Sequence, residues 1–308
     1  MLVLVRPANR LVWGEDAKPK AKTEAEAEAT KPVPLNPQKT VLLDRTNKQV
    51  IVKSKVVLRE GTLEMLLCKK QTKEHESILA VDANAYIIHS ALLALGADAG
   101  KTVRYENETF YPPTGEKLNI FATWTDKDDK IHRVDVKSWI RRAIHRFYVA
   151  EMDALPKGVT LPKDSELRYD AKIKELYWYG PMSKEQRDHF LKMSDDKTFQ
   201  AAIRRFFAES QPKQMDAEWV FCGSGFYVVP EGPDKGKRIY QAEGGDLICV
   251  ANFATAMIDV NEKSSASGSA NLLYEAWTDR IPPEETIVTL EIIPKGKLEE
   301  TKEPKTKD

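Results

Sequence analysis

Cysteine is nearly absent from this chain. Cys68, Cys222 and Cys249 are the only three among 308 residues, an odd set with no CxxC pair, so neither a disulfide framework nor a zinc knuckle has support. Excess charge is lacking too. Lys plus Arg equals Asp plus Glu at 47 each, and a balanced surface offers no general attraction to nucleic acid, whose binding releases phosphate counterions to a basic protein. No window approaches the roughly 18 uninterrupted apolar residues that a spanning helix needs. The apolar start Met1–Val5 is cut by Arg6 and Arg10 before a secretory core of about 7–15 residues can form. It reads either as the stump of a longer signal or as a loose end, and membrane attachment is expected only through an anchor missing from this N-terminus.

What is present divides the chain. Ala17 to Asn36 alternates Lys, Glu and Ala and then turns proline-rich, too little apolar surface to offset the entropy of ordering, so residues 1–37 are expected to be a disordered tether and 295–308 a solvated tail. Between them, 42% hydrophobic residues give ample core for one large body or two ordinary ones.

Residues 61–96 organise that body. Leu63–Cys68 and Ser77–Val81 are aliphatic runs expected to be strands, separated by the polar turn Lys69–Glu74. Asp82 is the expected N-cap and Gly96 the C-terminal stop of a helix over about 83–95. Ile87, Ile88, Ala91, Leu92 and Leu95 share one face, and Tyr86 and Leu93 lie nearly opposite, so this helix is expected to be buried all round. His89 and Ser90 would then need partners, because an unsatisfied buried polar group costs about 1–3 kcal/mol.

β-branched residues around Val50 and Val56 extend the strand pattern, and Lys117–Trp124 with Lys130–Val136 reads as a hairpin across Asp126–Asp129. From Ser138 the spacing turns helical. SWIRRAIHRFY, the capping box Ser183 with Gln186, and Phe199, Ile203, Phe206 and Phe207 on one face predict a mainly helical insertion over 141–215. Seven short apolar segments after Glu218 predict strands again. The expected fold class is α+β: a mainly antiparallel β sandwich or rolled sheet, built from 38–140 and 216–294, packed on one buried helix and carrying a helical insertion.

KVVLREGTLEMLLCKKQTKEHESILAVDANAYIIHSALLALGADAG, YPPTGEKLNIFATW, WVFCGSGF, GGDLICVANFATAMIDV and WTDRIPPEETIVTLEIIP resemble, in this order, the YdjY-like domain family. The likeness is to its long, tethered bacterial versions of the planctomycete type. The resemblance implies little about activity, because the family is essentially uncharacterised. It implies an extracytoplasmic location, periplasm or cell envelope, because bacterial members often carry secretion or lipoprotein signals.

The candidate ligand-binding residues are His75, Glu76, His89 and Asp246, and the candidate metal ligands are His75, His89 and Cys68, a set suited to zinc or another divalent ion. The spacing is not HExxH, and in an extended chain His75 and Glu76 point to opposite faces, so one of them at most joins His89. The plainer reading makes Cys68 core filler and leaves His89 bonded to a carbonyl. Cys222-Gly223-Ser224-Gly225 lacks the residue that GxSxG needs between Ser and the second Gly, so a tight turn is the better account. Glu243-Gly244-Gly245-Asp246 reads as a β-turn, as an anion nest, or as a turn that places two carboxylates near a pocket. Tyr177-Trp178-Tyr179 reads as core or as a stacking platform. The favoured function is a non-enzymatic binding or interaction module for a protein or small molecule. The alternatives are a metal-dependent hydrolase or redox accessory protein using His75, Glu76 and His89, and a scaffold pairing with its own copies.

Overall fold

The computed structural model describes residues 31–107, 109–143, 147–162, 164–264 and 273–296. Most of the expected tether and tail therefore lies outside the described residues. Order begins before residue 38: Val33 and Pro34 pair with Leu43 and Leu42, and the Asn36 side chain accepts the N–H of Thr40 and of Val41, each at 3.0 Å.

Eight strands carry the architecture: β1 Gln49–Val56, β2 Met65–Lys69, β3 Ser77–Val81, β4 Glu116–Thr125, β5 Trp219–Phe221, β6 Ile248–Cys249, β7 Ile258–Val260 and β8 Ile287–Pro294. Their hydrogen-bonded order is β1-β8-β4-β5-β7-β6-β2-β3, and β3 pairs back onto β1 through Lys55↔Ala80 and Val56↔Leu79. The sheet is therefore closed. This corrects the expected sandwich or rolled sheet packed on a buried helix: the fold is an eight-stranded barrel, which removes sheet edges by closure. Six seams are antiparallel, whereas β2/β3 and β6/β7 are parallel. The strand Val41–Asp44 runs beside the first half of β1, and Ile131–Asp135 beside the second half of β4.

The alternation of the strands explains the closure. In β1, Val50, Val52 and Val56 are buried while Lys53 and Lys55 face out. Leu118, Ile120 and Ala122 of β4 and Val288, Leu290 and Ile292 of β8 repeat the pattern and join one core. At roughly 25 cal/mol per Å² of apolar surface, this shared filling is the main source of stability.

Helix α1, Ala85–Ala94, packs Ile88, Ala91 and Leu92 into that core, but it is not buried all round. Tyr86 and Leu93 are 52% and 48% exposed, because a barrel already filled by its own side chains offers the helix only one face to cover. Its N-cap is Asn84, not Asp82, and Asn84 makes no side-chain cap bond. Glu243 supplies the missing acceptor from a distant turn, taking the Tyr86 N–H at 3.1 Å.

The insertion is also not mainly helical. A three-stranded sheet, Phe147–Glu151, Glu175–Tyr179 and Leu167–Asp170, packs with helices α2, Lys184–Leu191, and α3, Lys197–Glu209, around Trp178, Phe190, Phe199 and Phe206. Where the sequence is helically spaced from Ser138, residues 144–146 lie outside the described residues, while Ile140–Arg142 is a strand bonded to Tyr274–Ala276, and Trp139 and Ile140 are drawn into the barrel core. Both α2 and its capping box form as the sequence predicts.

Candidate functional site

Parallel pairing of β2 with β3 sets Met65 opposite Ser77, which brings the preceding residues, Glu64 and Glu76, side by side. The main chain fixes them there. The Glu64 N–H donates to the Glu76 carbonyl at 3.1 Å, and the Glu64 carbonyl accepts from Val250 at 2.8 Å and Ala251 at 3.2 Å. Lys73 enters from the turn after β2, and Asp246 from the turn before β6. Gly245, at φ +121°, lets the two turns touch, since a Cβ there would meet Thr72 Oγ1 at 2.5 Å.

The Lys73 ammonium lies 3.0 Å from Asp246, 3.7 Å from each of Glu64 and Glu76, and 4.3 Å from the centre of the Phe253 ring. One cation thus serves three carboxyl groups and leans toward one. Burial and the Glu76 carboxyl beside it push Glu64 up to about 7. Burial disfavours the Lys73 charge, but Asp246, Glu64 and Glu76 outweigh that and raise its pKa. Asp246 also accepts the Thr255 hydroxyl. A strongly shifted acid among named charge partners in a half-buried setting marks a functional-site candidate.

Behind this cluster lies an apolar patch in which all three thiols meet: Cys68, Cys222 and Cys249 with Met65, Ala80 and Ala256. Burial raises the pKa of each thiol, which makes them poor nucleophiles at neutral pH. Asp259 lies within the wall, fully buried, and accepts the N–H of Val260 at 2.8 Å and of Phe253 at 3.2 Å. Desolvation raises the pKa of its carboxyl well above the usual carboxylate value, against the opposing pull of those two N–H groups. Val57 and Ala80 of the patch also line an open cleft of about 580 Å³, with Lys53, Lys70, Glu74 and Asp82 around it.

The expected site residues do not all assemble. Glu76 and Asp246 converge on Lys73. His75 sits on the outer side of the 3-10 turn Glu74–Glu76, 77% exposed, with its Nε2 3.6 Å from Glu76. Cys68 lies in the thiol patch, and His89 contacts Tyr240 and Phe221. The proposed metal set His75, His89 and Cys68 therefore has no common centre, and among the described residues no three His, Cys, Asp or Glu side chains are grouped to hold a metal ion. Ser224 is not a nucleophile in waiting, because its hydroxyl donates to the Thr255 carbonyl at 2.6 Å. Glu243 caps α1 and pairs with Lys69 at 2.7 Å rather than forming an anion nest. Trp178 is core, its indole N–H donating to Gly180 at 2.7 Å, while Tyr179 remains exposed.

Sequence reasoning missed Glu64, Lys73, Thr255 and Asp259. The one local signal was Asp259, a lone acid inside the apolar run AMIDV.

No curated protein and no solved structure matches this chain. Residues 41–153 match the family model described as the YdjY domain. That span holds β1 to β4, so half of the barrel's strands lie beyond it. On this match, this chain carries a YdjY-like domain.

Proposed function

We propose that this protein is a non-enzymatic binding module whose Glu64–Glu76 pair receives a cationic group, an amine or guanidinium, of a small ligand. One observation carries the reading. Lys73 leans to Asp246 at 3.0 Å and stands 3.7 Å from both glutamates, and Glu64 answers by keeping a proton up to about pH 7. A proton held that high on a carboxyl pair stands where a second positive charge is wanted, and a ligand cation can replace it. Resemblance to exported relatives supports a place outside the cytoplasm for the module, which fractionation of producing cells would check.

Titration calorimetry with agmatine and cadaverine as probes tests the site. Ligand and proton compete, so affinity should rise about tenfold from pH 6 to pH 8, in step with the ionised fraction of an acid of pKa near 7. It should vanish in Glu64→Gln/Glu76→Gln. Silence from both probes at every pH, or full binding by the double variant, would refute the assignment.

A further inference from the structure

Asp246 is the most deeply buried carboxyl around Lys73, its side chain 8% exposed against 18% for Glu64 and 21% for Glu76. Its two oxygens are used differently. Oδ2 accepts the Thr255 hydroxyl, whereas Oδ1 is buried with no hydrogen-bond partner, although the Lys73 ammonium stands 3.0 Å from it. The nitrogen therefore touches the carboxyl off the line of a hydrogen bond. An ion pair kept for stability aligns a donor with a lone pair, and here that alignment is missing while the contact remains. Glu64 and Glu76, each 3.7 Å from the same nitrogen, and the Phe253 ring, its centre 4.3 Å away, complete the surroundings.

We propose that Lys73 and Asp246 condense into an intramolecular amide, a covalent tie between the turn after β2 and the turn before β6. Nζ forms a bond to Asp246 Cγ, the Cγ–Oδ1 bond breaks, and Oδ1 leaves as water with two of the three ammonium protons. Atoms and charge balance without any further reactant. The glutamate pair carries the protons: an ionised carboxylate takes one from Nζ, and its protonated neighbour delivers one toward Oδ1. Glu64, pushed up to about 7 by burial and by Glu76, lets the pair hold both forms at neutral pH. The Thr255 hydroxyl polarises Oδ2, the oxygen that becomes the amide carbonyl. Burial disfavours the Lys73 charge, but the three carboxyls outweigh it, so the neutral amine is scarce and the reaction slow. The ion pair in this structure is the precursor state. Effective molarities of well-oriented groups reach about 10⁵–10⁸ M, enough to outweigh the mass action of water against condensation. The amide closes a loop that carries β3, β4, the insertion and β5, and closing a long loop restricts the unfolded chain most.

The test is intact-mass spectrometry of the purified full chain, incubated for days at neutral pH, which reads the bond whatever the glutamates bind. The expected species is lighter by one water, and its tryptic digest contains a branched peptide joining residues 73 and 246. Lys73→Arg keeps the cation and should keep the full mass. Asp246→Asn should lose ammonia instead of water at the same link, because the side-chain nitrogen is then what leaves. Glu64→Gln/Glu76→Gln should slow the reaction by about a hundredfold or more, the usual worth of a positioned proton carrier. Near-ultraviolet circular dichroism shows whether each variant is folded. A parent chain that keeps its full mass throughout overturns the proposal. So does a water loss that persists in Lys73→Arg, or one that maps to a single unbranched peptide, which would mark a cyclic imide formed by one aspartate with its own main chain.

Discussion

His89 Nδ1 lies 2.8 Å from the Tyr240 hydroxyl, which donates onward to the Gly223 carbonyl at 3.0 Å. With the tyrosine proton committed to Gly223, the Nδ1–H of His89 is the donor to Tyr240, a tautomer assigned from the network. The imidazole is a terminal member of this chain, so Tyr240 keeps one partner when the ring is removed. His89→Leu should therefore cost only about 1 kcal/mol. Burial lowers the His89 pKa, against a smaller opposing effect of the Gly223 carbonyl. Its contribution is complete above the unfolded value of about 6.5 and is lost as pH falls through the depressed folded value. Urea unfolding at pH 5 and pH 8 should show a smaller acid loss in His89→Leu than in the parent. An equal loss would mean that the ring does not titrate as its burial demands.

Glu64 works in the opposite sense. Its carboxyl rises from 4.5 to about 7 through burial and the neighbouring Glu76, so its contribution is complete below about pH 4.5 and is lost as pH climbs through 7. Glu64→Gln keeps a hydrogen-bonding group toward Glu76 without the charge. It should match the parent at pH 4 and exceed it by on the order of 1–2 kcal/mol at pH 8, a figure reduced for solvent screening. Denaturant midpoints at the two pH values check this. A variant less stable at pH 8 would show that the ionised Glu64 is held favourably.

Local pattern made much of this fold legible. The runs at Ser77–Val81 and Lys117–Trp124, the face Ile88–Ala91–Leu92 and the Ser183 capping box all follow from side-chain periodicity and cap chemistry within a few residues. Closure was not legible. It depends on β6, two residues long, and β7, three residues long, lengths at which alternation carries no signal, and on two parallel seams whose partners no turn specifies. The candidate site suffered for the same reason. Glu64 meets Glu76 only through the β2/β3 register, and Asp246 meets Lys73 only through β2/β6 pairing. Tyr86 and Leu93 are exposed despite their apolar chemistry, because folded surfaces retain much apolar area and apolar character alone does not specify burial.

The trans cap of α1 gives a third test. Glu243 accepts the Tyr86 N–H at 3.1 Å and holds Lys69 at 2.7 Å, and Asn84 makes no side-chain cap of its own. Glu243→Ala should cost about 1 kcal/mol, the usual loss for an N-cap. The first-turn amides of α1 should then exchange faster with solvent while those near Ala91 change little. Uniform exchange along the helix would mean that the cap does not limit its opening.

The insertion offers the sharpest separation. Trp178, Phe190, Phe199 and Phe206 belong to a cluster that shares no buried residue with the barrel core, and Trp178 is fully buried, its ring 5.7 Å from Phe190. Trp178→Ala should cost about 3–5 kcal/mol from lost contact and the cavity left behind. Cores that do not interlock open as separate cooperative units. Hydrogen exchange should therefore quicken across 147–209 while β1, β4 and β8 keep their protection. Barrel amides that quicken by the same factor would show one cooperative unit instead, and the insertion would then count as part of the barrel's own stability.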